Sequence, residues 1–360
     1  MGHQRLCRRQ YCRPHIQFLA IDPPQIECYK NNNVKRALIT GISGQDGAYL
    51  AKHLLGLGYE VWGTSRDAQI SPFHNLHQLG INDHVRLESL AVNDFRSVLQ
   101  VLAKIRPDEV YNLGGQTSVS LSFQQPVETL ESISISTLNF LECIRFMGQP
   151  IRFYNAGSSE CFGDLKGDAA NELTPFRPRS PYAVAKSTAY WQVANYREAY
   201  GLYACSGILF NHESPLRLER FVTKKIALTA ARIKRGLKSE LELGNTSVQR
   251  DWGWAPEYVE AMHAMLLLSQ PDDFVIATGI TCSLQEFVEV AFEHLDLDPH
   301  RYVKVDNSLF RPTDIQISRG DATKASNILN WQAKTKMPDV AKLLVDDCVR
   351  ELEQALENRR

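Results

Sequence analysis

A short apolar run, Ala37-Leu38-Ile39-Thr40, leads directly into Gly41-Ile42-Ser43-Gly44-Gln45-Asp46-Gly47, and a segment carrying Leu50, Leu54 and Leu55 at helical spacing follows. Strand, glycine turn and helix start in that order let backbone N–H groups approach a pyrophosphate, and the helix dipole adds attraction for the anion. Glycines at such spacing also occur in plain structural turns, so the argument rests on the flanking strand and helix. Read this way, Gly41, Ser43, Gly44, Gln45, Asp46 and Gly47 form the cradle of a dinucleotide site.

The pattern then repeats. Residues 59–64, 85–90, 109–113, 152–156 and 205–210 read as buried strands, with helices expected over 95–104 and 127–146. Such alternation predicts an α/β fold, a Rossmann-type doubly wound parallel sheet with ligands at the carboxyl ends of its strands. Asn112-Leu113-Gly114-Gly115 closes the fourth strand, which puts Leu113 and Gly114 beside the cofactor unless the pair is a simple turn. The second strand ends at Ser65-Arg66-Asp67. A carboxylate there would bind the ribose hydroxyls and repel a 2′-phosphate, so Arg66 favours NADP, with a solvated surface arginine as the alternative.

Between 152 and 186 lie the residues able to do chemistry. Ser158, Ser159 and Glu160 sit where a buried strand spills into a cleft, and Ser180-Pro181 is a good helix start. That start places Tyr182 and Lys186 one turn apart on the same helical face. A free tyrosine titrates near pH ~10 and is a poor base, but an ammonium close by favours the phenolate. Tyr182 is then a base for an alcohol, Ser158 a hydrogen-bond partner of the same oxygen, and Glu160 a second base for a neighbouring carbon acid. Each residue alone also fits a blander role: a packed tyrosine, a solvated lysine, a capping carboxylate.

Beyond residue 210 the alternation loosens into helices at 221–235, 256–268 and 284–294, a strand at 274–278, and a final helix at 338–356 whose apolar face suits packing. Lys225, Arg250 and Arg311 are candidates to clamp a nucleotide diphosphate, or else are solvated cations. A chain of 360 residues exceeds the ~150 residues of a typical domain. The expected plan is a dinucleotide domain over 34–210 plus about 246–270, a smaller C-terminal substrate-binding region over 211–245 and 271–335, and a terminal helix over 336–360. A net charge of −1 gives no reason to expect nucleic acid or membrane as partner, and no apolar run reaches the ~18 residues that span a bilayer. Eight scattered cysteines read as reduced thiols and the protein as cytoplasmic. Residues 1–33 read as a disordered or non-native extension, and because Cys7, Cys12, His15 and Cys28 match no compact zinc site, no metal is expected.

Taken together, these segments resemble the GDP-mannose 4,6-dehydratase family within the extended short-chain dehydrogenase/reductase group, from about Val34 to the last helix. The likeness is carried by Ala37-Leu38-Ile39-Thr40-Gly41, by Pro175-Phe176-Arg177-Pro178-Arg179-Ser180-Pro181-Tyr182, by Gly207-Ile208-Leu209-Phe210-Asn211-His212-Glu213-Ser214-Pro215, by Arg250-Asp251-Trp252-Gly253 and by Asp273-Phe274-Val275-Ile276-Ala277-Thr278-Gly279. It implies NADP as cofactor, GDP-mannose as substrate and a homo-oligomer, dimer or tetramer. In such an enzyme Tyr182 would take the C4 hydroxyl proton as hydride passes from C4 to NADP. Glu160 would remove the C5 proton and assist loss of water from C6, before hydride returns to C6. Lys186 would hold the nicotinamide ribose, His212 and Arg217 would touch the cofactor, and Asn211, Lys225, Arg250 and Arg311 would hold the GDP-sugar. Glu160 separates this reading from a nucleotide-sugar 4-epimerase, whose members commonly lack that carboxylate. A dehydratase of another NDP-hexose and a non-catalytic NADP-binding protein also stay open. The chain departs from the family pattern at Ser158 (a threonine there), at Leu90-Ala91-Val92 (Gly-Asp-Leu), at Arg66-Asp67 (paired arginines, with a longer loop beyond), and at Trp254 and Pro256 (a histidine and a lysine).

Overall fold

Residues 34–309 and 313–357 are described by the computed structural model. The extension at 1–33, with Cys7, Cys12, His15 and Cys28, and the candidate clamp Arg311 lie outside the described residues. Among the described residues twelve strands follow in chain order: β1 (Arg36–Thr40), β2 (Glu60–Ser65), β3 (Arg86–Ser89), β4 (Glu109–Asn112), β5 (Arg152–Ala156), β6 (Ala204–Leu209), β7 (Asn211–Glu213), β8 (Leu241–Leu243), β9 (Gln249–Trp254), β10 (Phe274–Ile276), β11 (Thr281–Ser283) and β12 (Val303–Val305). Seven of them build one sheet in the order β10-β6-β5-β4-β1-β2-β3, and every pair in it is parallel. The chain winds outward in both directions from β1 and β4, which opens a crevice at their carboxyl ends.

Parallel strands covered on both faces must be apolar on both, and every residue of β4 and β6 is buried. On one face the helices Gln45–Gly56 and Ala255–Leu267 pack Leu50, Leu54, Met262 and Met265 against the sheet. On the other, Phe95–Ile105, Ser136–Met147 and Pro181–Tyr200 contribute Val98, Leu102, Phe140, Ile144 and Val193. The helix expected over 127–146 is interrupted: Pro126–Leu130 and Ser136–Met147 are separated by one widened π turn, Glu131–Ile135. That turn carries Ile133 into the cluster holding Tyr182 and Ala185, while the Ser134 hydroxyl donates to the Ala185 carbonyl at 3.0 Å.

A row of polar side chains crosses the sheet just below its carboxyl ends. Thr40 Oγ1 donates to Asn112 Oδ1 (3.1 Å), Asn112 Nδ2 donates to Thr137 Oγ1 (3.1 Å) and Asn155 Oδ1 (3.4 Å), and Asn155 Nδ2 donates to Ser206 Oγ (3.3 Å). All five are buried. The backbone N–H of Gly114 adds a bond to Thr40 Oγ1 at 2.9 Å, which draws the turn after β4 onto the turn after β1.

The segments after β6 form a second core. The helices Val222–Lys234, Leu284–Glu293 and Met337–Glu357 enclose Ile226, Phe287, Leu344 and Val345. Lys224, 5% exposed, pairs with Asp347 (3.4 Å) and Glu351 (3.1 Å), so the last helix is an integral wall of this core. Residues 274–276, expected in the substrate region, instead form β10 at the edge of the main sheet: Phe274 and Val275 are fully buried, and β10 pairs in register with β6. A small sheet of β11, β9 and β7 joins the two cores, with His212 opposite Gly253. Gly253 matters there because a Cβ would collide with the ring of Tyr258. No helix among the described residues is long and apolar enough to cross a membrane.

The polar row sets a stability expectation. Thr40→Val keeps the shape but leaves the Gly114 N–H and one Asn112 oxygen without this partner, and should cost about 1–3 kcal/mol in urea unfolding.

Candidate active site

The glycine turn has the form a dinucleotide cradle requires. Gly41 has φ +69°, and a Cβ there would lie 3.0 Å from the backbone of Leu113 and Gly114, so the turns after β1 and β4 meet without side chains between them. Ser43 and Gly44 are exposed at the start of the helix Gln45–Gly56, where its first N–H groups point outward. The side chains of Gln45 and Asp46, whose backbone belongs to the expected cradle, turn toward the protein. Gln45 Nε2 donates to the His212 carbonyl at 2.9 Å, and Asp46 Oδ2 lies 3.0 Å from His212 Nε2. Past β2, Arg66 is exposed, while Asp67 Oδ1 accepts from the backbone N–H groups of Gln69 (2.9 Å) and Ile70 (3.4 Å).

A cavity of about 410 Å³ opens at the carboxyl ends of β5 and β6. Ser158, Glu160, Tyr182 and Lys186 all line it, as do Asp46, Leu113, Asn211, His212, Arg217, Lys225 and Arg250. The expected helix start is present: Ser180 Oγ accepts from the Ala183 N–H at 3.1 Å and Pro181 opens the helix, so Tyr182 and Lys186 share its cavity-facing side. Ser158 caps the short turn Ser159–Phe162 by accepting from the Glu160 N–H at 3.3 Å. The Cys161 thiol donates to the Ala183 carbonyl at 3.8 Å, and the Arg177 N–H to the Cys161 carbonyl at 2.8 Å. These contacts hold the Glu160 turn against the Tyr182 helix, close enough that the Glu160 charge acts on the phenol.

Burial dominates the electrostatics of this set. It pushes the Tyr182 phenol well above the ordinary tyrosine range, against an opposing hydrogen-bonding influence from Ser158, with Cys161 and Glu160 adding to the rise. The expected lowering by Lys186 does not prevail. Lys186 Nζ stands 5.8 Å from the ring centroid and donates to the Ala156 carbonyl at 2.7 Å. Burial also brings Lys186 itself down to about 8.

The cations of the outer wall are each tied to the protein. Arg217 Nε lies 3.1 Å from Glu213 Oε2, and its guanidinium covers the Phe221 ring at 3.7 Å. Lys225 donates to the Glu242 carbonyl at 2.6 Å. Arg250, 6% exposed, donates to Asp314 Oδ1 (3.0 Å) and to the carbonyls of Ile315 (2.7 Å) and Gln249 (2.9 Å). Trp254 and Pro256, two of the departures from the family pattern, are not among the described residues that line the cavity. Thr117, Ser118, Arg220, Asn245, Trp252 and Asp314 do line it and were not anticipated. For Ser118 a signal existed, since it caps the helix Val119–Gln124 by accepting from Leu121 N–H at 3.3 Å.

A doubly wound parallel sheet, a glycine turn at its switch point, and a tyrosine and lysine one turn apart beside a serine define a short-chain dehydrogenase/reductase of the extended kind. The family described as GDP-mannose 4,6 dehydratase matches residues 38–344. GDP-mannose 4,6 dehydratase 2 of Arabidopsis thaliana is 44% identical over 323 residues, covering 87% of this chain and 86% of that protein. GDP-mannose 4,6-dehydratase of Vibrio cholerae is 40% identical over 348 residues, covering 87% and 94%. Among solved structures, UDP-glucose 4-epimerase of Thermus thermophilus in complex with NAD has a TM-score of 0.75 at 26% identity, covering 87% and 98%. The chain belongs to the GDP-mannose 4,6-dehydratase family.

The lowered Lys186 has a measurable consequence. Between about pH 8 and the unperturbed 10.5 the folded chain binds fewer protons at this site than the unfolded one, so stability rises with pH there, and below about pH 8 the burial handicap is full. The stability of the wild type relative to Lys186→Met should therefore increase across that window, by at most roughly 1.4 kcal/mol per pH unit, in denaturant titrations.

Proposed function

We propose that this chain dehydrates GDP-mannose to GDP-4-dehydro-6-deoxy-D-mannose with NADP as a resident hydride carrier. One observation carries the reading: the Glu160 carboxyl and the Tyr182 phenol line the same cavity, with Ser158 and Lys186 beside them. The Thermus epimerase holds NAD in a related fold, and the bare glycine turn here, too tight at Gly41 for a Cβ, suits the same kind of dinucleotide. When bound there, a nicotinamide would supply the hydride acceptor for C4 and the hydride donor for C6.

The chain's own groups move the protons. Tyr182 takes the proton of the C4 hydroxyl, with Ser158 bonded to the same oxygen and Lys186 oriented by its bond to Ala156. Oxidation at C4 acidifies C5; Glu160 removes that proton and then assists departure of the C6 hydroxyl as water. A base and a tyrosine on one hexose allow oxidation and elimination in a single pocket, which an epimerase does not need. Arg217 and His212 serve the cofactor, and Asn211, Lys225, Arg250 and Arg311 the nucleotide diphosphate. The sheet with β10 and the helix Ala255–Leu267 holds the dinucleotide, and the second core holds the sugar nucleotide. We also infer a cytoplasmic protein, from the free thiols of Cys143, Cys161, Cys205, Cys282 and Cys348, and a homo-oligomer, a reading supported by the exposed apolar side chains Val127, Leu130, Val184 and Trp191 on the packed helices Pro126–Leu130 and Pro181–Tyr200.

NADP is favoured over NAD because Asp67 spends its carboxylate on its own turn while Arg66 stays exposed and available to a 2′-phosphate. Calorimetry should show NADP binding more tightly than NAD, by about tenfold or more for one charge-assisted contact; equal affinities would assign Arg66 elsewhere.

Incubation with GDP-mannose should generate the alkali-induced absorbance of a 4-keto sugar. Glu160→Gln should still oxidise C4 but stall before elimination, so that reduced nicotinamide accumulates on the protein; full dehydration by that variant would sink the role given to Glu160.

A further inference from the structure

The sequence motif places the backbone of Gln45 and Asp46 in the dinucleotide cradle, and their side chains are spent on His212 and Ser214. Gln45 Nε2 donates to the carbonyl of His212 at 2.9 Å, and Gln45 Oε1 accepts from Ser214 Oγ at 2.9 Å. One residue later, Asp46 Oδ2 lies 3.0 Å from His212 Nε2, while His212 Nδ1 lies 2.7 Å from the carbonyl oxygen of Phe210. A carbonyl oxygen and a carboxylate only accept, so both ring nitrogens must carry protons for both contacts to hold. The pair is then imidazolium and carboxylate, half-enclosed in the cavity wall.

Every element packed against this imidazole contributes to its state. Asp46 faces it from the helix after β1, Arg217 from the loop after β7, and Tyr258 from the helix Ala255–Leu267, stacked at 4.4 Å between centroids and 24° between planes. Lys186 feels the same carboxylate. Burial disfavours the charged ring and Arg217 repels it, but Asp46 and the Phe210 carbonyl outweigh both, and His212 ends above its ordinary value. For Asp46, burial raises the carboxyl, but His212 and Arg217 together bring it below its ordinary range.

We propose that Asp46 and His212 form an ionic latch, backed by Gln45 and Ser214, that fastens the glycine turn to the strand after β6 and so keeps the dinucleotide in its cleft through the whole reaction. Asp46 is on this account a positioning residue. The proposal rests on the reading that the cleft holds a nicotinamide dinucleotide. It matters chemically because the hydride taken from C4 must be returned to C6 of the same sugar, so a dinucleotide that leaves midway strands the intermediate. The sign of its pH dependence follows: the latch is closed while His212 is doubly protonated and opens as pH rises through the histidine's raised folded value, when one ring nitrogen turns its lone pair toward an acceptor.

The test has two independent arms. Imidazole NMR of the ligand-free wild type should show two N–H protons on His212 at neutral pH and a transition above the ordinary histidine range, lowered by about one pH unit or more in Asp46→Asn. Stopped-flow release of NADPH, followed by its fluorescence, should be slow and flat with pH until that transition and faster above it. In Asp46→Asn the acceleration should appear at lower pH, and in His212→Gln the step should vanish. A wild-type His212 carrying a single N–H at neutral pH, or release kinetics untouched by Asp46→Asn, overturns the latch. Because the first arm uses neither ligand nor turnover, failure of the protein to act on GDP-mannose leaves its outcome intact.

Discussion

The hydrogen-bonded row Thr40, Asn112, Asn155 and Ser206 is the constraint on which the rest of the molecule depends. Four neighbouring strands each supply one member. A carboxamide buried among apolar side chains is costly unless it finds partners, so the row is satisfied only when β1, β4, β5 and β6 stand in one register. Each member lies at or near the carboxyl end of its strand, one to three residues before Gly41, Leu113, Ser158 and Leu209. A slip of a single residue would therefore disturb the glycine turn and the serine of the cleft together.

Above that seam the same low-dielectric surroundings tune the chemistry in opposite directions. They keep the Tyr182 phenol protonated and make the Lys186 ammonium easier to discharge. Glu160 sits on a turn pinned by the Cys161 thiol and by the Arg177 N–H bonded to the Cys161 carbonyl.

What could be read from the chain was what is local. The Ser180-Pro181 start, the one-turn spacing of Tyr182 and Lys186, and the glycine turn after β1 are set by a few consecutive residues, and each stands as read. The strand near 274 was visible as a strand, yet nothing within it says which sheet it joins; pairing with β6 across the intervening chain decides that. Three-residue strands such as β7, β8, β11 and β12 are too short to show a period of two. The tie between Arg250 and Asp314 joins residues 64 apart, and the turn of Gln45 and Asp46 toward His212 joins residues more than 160 apart. No pattern in the sequence encodes such distances. The lowered phenol was expected from the charge of Lys186 alone, and burial, which a sequence does not display, reverses it.

Gly253 shows how far control of the cleft extends beyond its lining. It has no side chain because the Tyr258 ring fills the space where a Cβ would go, and that ring is the plate on which His212 rests. A methyl group at 253 would press on that ring, and the imidazole stacked on it would have to move with it. A hydrogen atom two layers beneath the cleft is in this way one of the things that set its geometry.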